Sequence, residues 1–234
     1  MATKCGQQPL RLAVLDMAGT TIADDGLVER AFAEAFASQG VPAGSPAHDA
    51  MMERARLTMG TARISVFNDL LPRDQAARAN SMFESAYDRI IAESGVAAVA
   101  GAETAIGELR DAGMQVCLTT GFARRTQNRI LESLGWMGLA DLSLCPDDAG
   151  RGRPFPDMIL TAVLALDLPD VREVLVVGDS SADMLAGRRA GSRAVVGVLT
   201  GAHREDALRA AGADDVVPSI REVPALVRAA APVS

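Results

Sequence analysis

Leu10-Arg11-Leu12-Ala13-Val14-Leu15-Asp16, followed by Met17-Ala18-Gly19-Thr20-Thr21, is the stretch on which the fold turns. An apolar run of strand length with little alternation predicts a strand buried on both faces, as in a parallel sheet. Closing that strand with a carboxylate and a Gly-Thr turn puts charge at the carboxyl edge, where open α/β sheets bind ligands. An Asp in this place also serves as a helix N-cap. Asp16 gains weight only from its company further along the chain.

From residue 101 onward, strand and helix periodicities alternate. Helices are predicted over 103–112, 124–134, 156–166, 181–190, 204–211 and 220–230, several of them stopped by Gly113, Gly135 or Gly191. Strands are predicted over 115–120, 142–145, 173–178, 194–199 and 215–217. Repeated units of this length predict an α/β fold with a doubly wound parallel sheet and right-handed crossovers. Between the first strand and residue 94 only helical periodicity is found, over 27–38, 47–57, 61–71 and 73–93. Pro42, Gly44 and Pro46 form a linker and Pro72 divides the last two helices. This block reads as a small helical bundle inserted after the first strand. The expected organisation is a core of 1–22 and 95–234 with a helical domain at 23–94.

The chain has 234 residues, of which 49% are hydrophobic, so a buried core is within reach and global disorder is not expected. A net charge of -7 argues against nucleic acid as a main partner. The only lysine is Lys4, and Cys5, Cys117 and Cys145 form no close pair. A reduced, cytoplasmic compartment fits that cysteine usage best. Residues 1–8 are polar, the apolar run after them is too short for a signal peptide, and no stretch reaches membrane-span length. A soluble protein with no membrane partner is expected.

Several strand ends finish in polar residues. Asp16 and Thr20 follow the first, Thr119-Thr120-Gly121 the second, and Gly178-Asp179-Ser180-Ser181-Ala182-Asp183 a later one. Gly152-Arg153-Pro154 precedes a helix. Parallel strands bring these groups to one edge, where Asp16, Asp179 and Asp183 would crowd together at a cost that a cation relieves. Mg²⁺ suits such a set, since it prefers oxygen ligands and binds through one or two carboxylates, water and phosphate. The Thr20 and Thr120 hydroxyls, turn N–H groups and Arg153 would then bind phosphate oxygens. Singly, each has a duller role: strand-end hydrogen bonding for Thr120, a solvated surface position for Arg153, and capping for the Asp179…Asp183 pair.

These motifs, in this order over nearly the whole chain, resemble the haloacid dehalogenase superfamily. The helical block sits where that superfamily carries a cap domain. The resemblance implies that Asp16 is a nucleophile forming an aspartyl-phosphate, and that Thr120 and Arg153 orient and neutralise the phosphoryl group. It also implies that Asp16, the Ala18 backbone carbonyl and Asp179 hold Mg²⁺, with Asp183 supporting that sphere. The usual second Asp of the first motif, which protonates the leaving group, is Ala18 here. Asp-x-Ala-Gly-Thr with Gly-Arg-Pro resembles the phosphonoacetaldehyde hydrolase-like subgroup. Those enzymes use a cap lysine in Met-Gly-x-x-Lys to form a Schiff base, and here the segment is Met59-Gly60-Thr61-Ala62-Arg63. Guanidinium stays protonated and cannot form an imine. Lys4, ahead of the first strand, is expected at the wrong end of the sheet, and the helper histidine of that subgroup is replaced by Val66.

The leading expectation is a Mg²⁺-dependent hydrolase passing a phosphoryl group from a small phosphorylated or phosphonate substrate to Asp16 and then to water. Met59, Gly60, Gly121 and Arg63 would face the substrate, Arg63 binding a second anionic or carbonyl group. Phosphonoacetaldehyde hydrolysis without an imine, and a phosphate-binding protein without turnover, are the alternatives. A dehalogenase fits less well, because the acidic pair is retained. Leu70-Leu71 and Met82-Phe83 either pack inside the bundle or form a homodimer through the cap.

Overall fold

The structure, a computed structural model, describes residues 9–230, so Lys4, Cys5 and the Ala/Pro tail beyond 230 lie outside the described residues. Six parallel strands form one sheet in the order β3-β2-β1-β4-β5-β6. They are β1 (Leu12–Asp16), β2 (Gln115–Thr119), β3 (Leu142–Leu144), β4 (Val174–Gly178), β5 (Ala194–Val198) and β6 (Asp215–Val217). β1 pairs with β2 on one side, Asp16 opposite Thr119, and with β4 on the other, Leu15 opposite Val177. The strand order therefore reverses direction at β1, and the crevice beyond its carboxyl end is where an open α/β sheet takes ligands.

The unbroken apolar reading of β1 has a simple cause. Leu12 and Val14 pack in one core cluster, while Ala13 and Leu15 pack in the other. Alternate side chains point to opposite faces, and helices cover both. The helices flanking the sheet are α5 (Ala102–Asp111), α6 (Arg124–Ser133), α7 (Pro146–Ala149), α8 (Asp157–Ala165), α9 (Ser181–Ala190), α10 (Glu205–Ala210) and α11 (Val223–Ala230). The short α7 escaped the sequence reading, being a single turn opened by a capping box at Cys145 and Asp148. The last predicted helix is split, with a 3₁₀ turn at Ile220–Glu222 capped by Ser219 before α11 begins. Among the described residues no helix is long and apolar enough to cross a membrane.

Between β1 and α5 stand α1 (Leu27–Ser38), α2 (Pro46–Leu57), α3 (Arg63–Leu70) and α4 (Arg73–Ser94). Their shared interior is aromatic: Phe32, Phe36, Phe67 and Phe83 meet with ring centroids 4.8–6.1 Å apart. α3 starts two residues later than the periodicity suggests. The chain instead turns through Gly60, at φ 82°, before the helix begins. Chain enters and leaves this block side by side, since Ala23 N–H donates to Ala97 O and Val99 N–H to Thr21 O. Phe83 is buried and Leu70 and Leu71 pack against the core, whereas Met82 is 41% exposed.

Candidate active site

The carboxyl ends of β1, β2 and β4 deliver Asp16, Thr120 and Asp179 to one place, and Asp183 follows on the first turn of α9. Asp16, Asp179 and Asp183 each offer a carboxylate oxygen within 4.8 Å of the others, and all three are buried. Arg153, also buried, bridges two of them with its guanidinium: Nη1 is 2.5 Å from Asp16 Oδ1 and bonds Asp183 Oδ1. The surface position weighed for Arg153 is thereby excluded. Asp16 Oδ1 thus has its charge partner in Nη1, while the buried Arg153 Nε has no hydrogen-bond partner among the described residues.

Each acid is fixed differently. Asp183 accepts from the Ser180 backbone N–H at 3.1 Å and from its hydroxyl at 2.5 Å, the capping box that starts α9. Asp179 accepts from Ala202 N–H at 2.6 Å and from the Thr20 hydroxyl at 3.4 Å. Thr20, expected to bind phosphate oxygens, is fully buried and donates its hydroxyl to Asp179. Burial pushes the Asp16 carboxyl well above its ordinary range, with Asp183 and Asp179 adding to the rise and Arg153 opposing it. Asp179 is pushed up to about 6, chiefly by burial and then by Asp183. Burial would lower the Arg153 guanidinium, yet Asp16 and Asp183 together carry it above its ordinary value.

A cavity of about 750 Å³ opens above this cluster, lined by Asp16, Ala18, Thr120, Gly121, Arg153 and Asp179 on the sheet side. Asp183 does not line it, being held behind Arg153. Thr120 accepts from Phe122 N–H at 3.3 Å through its hydroxyl oxygen. On the helical side the lining includes Met59, Gly60 and Arg63, all three singled out from sequence. Gly121 meets that side closely, since a Cβ on it would stand 3.0 Å from Thr61 O.

Arg63 is buried as well. Its guanidinium carbon stands 5.0 Å from the Phe122 ring centroid, 5.7 Å from that of Phe83 and 5.8 Å from that of Phe32. Nη1 donates to Thr61 O at 3.2 Å, while Nε has no hydrogen-bond partner among the described residues. Burial lowers its pKa and the charges of Asp24 and Glu84 oppose the fall. Sequence reasoning missed Asp24, which lines the same cavity from the loop before α1. It also missed Thr200, Gly201 and Ala202, and the ion pair Arg56–Glu29 at 2.9 Å. The acidic pair Asp24-Asp25 just beyond Thr21 was the available signal for the first.

A model of haloacid dehalogenase-like hydrolases matches residues 10–191. Phosphonoacetaldehyde hydrolase of Bacillus cereus is 28% identical over 211 residues, covering 82% of this chain and 76% of its own. The phosphonoacetaldehyde hydrolase of Pseudomonas aeruginosa is 30% identical over 203 residues, covering 78% and 70%. A hydrolase from Pseudomonas syringae superposes with a TM-score of 0.82 at 25% identity, over 95% of this chain and all of the other. A phosphonoacetaldehyde hydrolase-like protein from Oleispira antarctica, at 23% identity, shares the fold with a TM-score of 0.82 over 95% and 93%.

Proposed function

This chain belongs to the haloacid dehalogenase-like hydrolases, and from that premise we propose that it moves a phosphoryl group from a small phosphorylated or phosphonate substrate to Asp16 and then to water. The observation that carries the reading is the charge balance beside Asp16. Three buried carboxylates face one guanidinium, leaving two negative charges in an oxygen-only donor set. Carboxylates this deep hold their charge only beside compensating cations. The surplus negative charge and the hard, oxygen-only donor set fit Mg²⁺. Asp16, Asp179 and the Ala18 backbone carbonyl would hold it, with Asp183 in support. Bound there, it would neutralise the remaining charge and that of the phosphoryl oxygens.

Asp16 attacks phosphorus, the bond to the leaving group breaks, and that group departs with the electron pair. Water then cleaves the aspartyl-phosphate, freeing phosphate and restoring the carboxylate. Arg153 and Thr120 orient and neutralise the phosphoryl oxygens. The block 23–94 serves as a cap whose Met59, Gly60 and Arg63 meet the rest of the substrate. No carboxyl stands at Ala18 to protonate the leaving group, and a positioned acid is worth about 10²–10⁴-fold. Turnover of ordinary phosphomonoesters is therefore slow, and leaving groups that need no proton are preferred.

Phosphate release from acetyl phosphate with Mg²⁺, compared between wild type and Asp16→Asn, tests this. Equal release from the two proteins refutes it. Ala18 and Arg63 together favour a second reading, a phosphate-binding protein without turnover. Phosphate binding with no release from any substrate would establish that one.

A further inference from the structure

The charged residues around the cavity can be sorted by who already neutralises them. Arg56 and Glu29 form a bidentate pair with each other, at 3.0 and 2.9 Å. Glu222 is taken up in the Ser219 capping box. Asp25 and Arg221 are exposed at the rim, where water screens them. Two charges of opposite sign remain on the cap side, Asp24 and Arg63.

Neither is in an ion pair within 4 Å among the described residues. The Asp24 carboxylate accepts one hydrogen bond, from Val28 N–H at 3.1 Å through Oδ1. Burial raises its pKa, and the Val28 N–H and the charge of Arg63 offset only part of the rise. Arg63 keeps Nε unpaired while three aromatic faces fix the guanidinium plane. Its other acidic neighbour, Glu84, is already engaged, accepting from the Thr126 hydroxyl at 2.5 Å and from Ala123 N–H at 3.3 Å. A cation and an anion that face one cavity without closing on each other make a complementary pair of sockets. A simple anion would satisfy Arg63 and meet repulsion from Asp24. An ammonium would do the reverse.

We infer that the cap side of the cavity takes a zwitterion, so that the substrate carries an ammonium for Asp24 and a carboxylate for Arg63 beside its phosphoryl group. The inference rests on the phosphoryl-transfer reading for the opposite end of the cavity. It narrows the substrate class to compounds of amino-acid type whose phosphoryl group sits on a leaving group that needs no proton, such as a carboxylate in an acyl phosphate. Phosphoserine serves as a stable binding probe for that class.

The probes are O-phosphoserine, its decarboxylated analogue phosphoethanolamine and its deaminated analogue 3-phosphooxypropanoate. Calorimetry on Asp16→Asn, which holds ligand without turnover, gives affinities. Phosphoserine should bind at least tenfold more tightly than either analogue. Arg63→Gln should erase the advantage over phosphoethanolamine only, and Asp24→Asn the advantage over the deaminated compound only. Arg63→Lys, which keeps the positive charge, should retain the preference, and thermal unfolding of each variant verifies that it is folded. Equal affinities for the three probes, or parallel losses in both variants when folded, would overturn the inference. Acetyl phosphate turnover by wild type decides the underlying reading separately: no release with the affinity order intact would remove the reaction and leave the zwitterion site.

Discussion

The backbone of Gly60 lies so close to Ser180 that a Cβ on Gly60 would overlap Ser180 Oγ and stand 2.7 Å from Ser180 Cβ. One residue belongs to the loop before α3 and the other caps α9. A close approach of the helical block to the sheet edge is thus made by a residue lacking a side chain, at a φ of 82°.

Gly60→Ala should therefore lift this loop away from the acidic cluster. Misplacing site components by about 1 Å costs on the order of 10²-fold, so kcat/KM is expected to fall at least tenfold. Left-handed backbone strain of about 1–2 kcal/mol corresponds to a fall in Tm of about 2–8 °C. An unchanged kcat/KM on acetyl phosphate would mean that this approach does not matter for turnover.

Removing Arg153 strips Asp16 and Asp183 of the cation they pair with among the described residues. Breaking a buried ion pair on one side costs about 3–5 kcal/mol, so metal-free Arg153→Met should melt about 10 °C below wild type. Scanning calorimetry in chelator decides it, and a loss below about 2 °C would show that the three acids do not depend on the guanidinium.

Mg²⁺ should raise the Tm of wild type and leave Asp179→Asn unmoved. A ligand at a hundred times its Kd stabilises by about 2.7 kcal/mol, which corresponds to about 5–10 °C for a chain of this size. Differential scanning fluorimetry with and without chelator reads the shift. Equal shifts in the two proteins would move the ion away from Asp179.

No imine should form. Borohydride reduction in the presence of phosphonoacetaldehyde should leave the protein mass unchanged, because the position matching the subgroup's lysine is Arg63, a guanidinium held in an aromatic box. A trapped adduct in the mass spectrum would overturn this.

Arg56 and Glu29 tie α2 to α1 at the cavity rim, and this bond sets a pH dependence. The hydrogen bond from Arg56 holds the Glu29 carboxyl below its usual value of 4.5. With the folded pKa depressed, the stabilisation is present above pH 4.5 and is lost as the pH falls through the lower folded value. Both side chains are partly exposed, which limits the effect to about 0.5–1 kcal/mol. Between pH 6 and pH 3, wild type should lose about 1–3 °C more in Tm than Glu29→Gln, and equal losses would show the pair to be idle.

Much of this was legible in the chain itself, for physical reasons. β1 announced itself because both of its faces are covered, which turns a strand into an uninterrupted apolar run. Asp16, Thr120, Asp179 and Arg153 were legible because parallel strands send their ends to one edge, so order along the chain becomes proximity in space. The hydrogen bond from Thr20 to Asp179 was not legible, since which way a hydroxyl turns depends on a partner far away in sequence. The burial of Arg63 was not legible at all. It depends on Phe32, Phe83 and Phe122 converging from separate segments, and no local pattern records that meeting. Asp24 escaped for the related reason that one carboxylate in a loop resembles any solvated turn.

The phenylalanine box also bears on how the protein could be blocked. A guanidinium clamped between rings gives up little further freedom when it is grasped, so a compound spanning from it to the acid-lined floor would staple the two halves of the molecule together. Such an inhibitor should owe its potency to slow escape more than to fast capture.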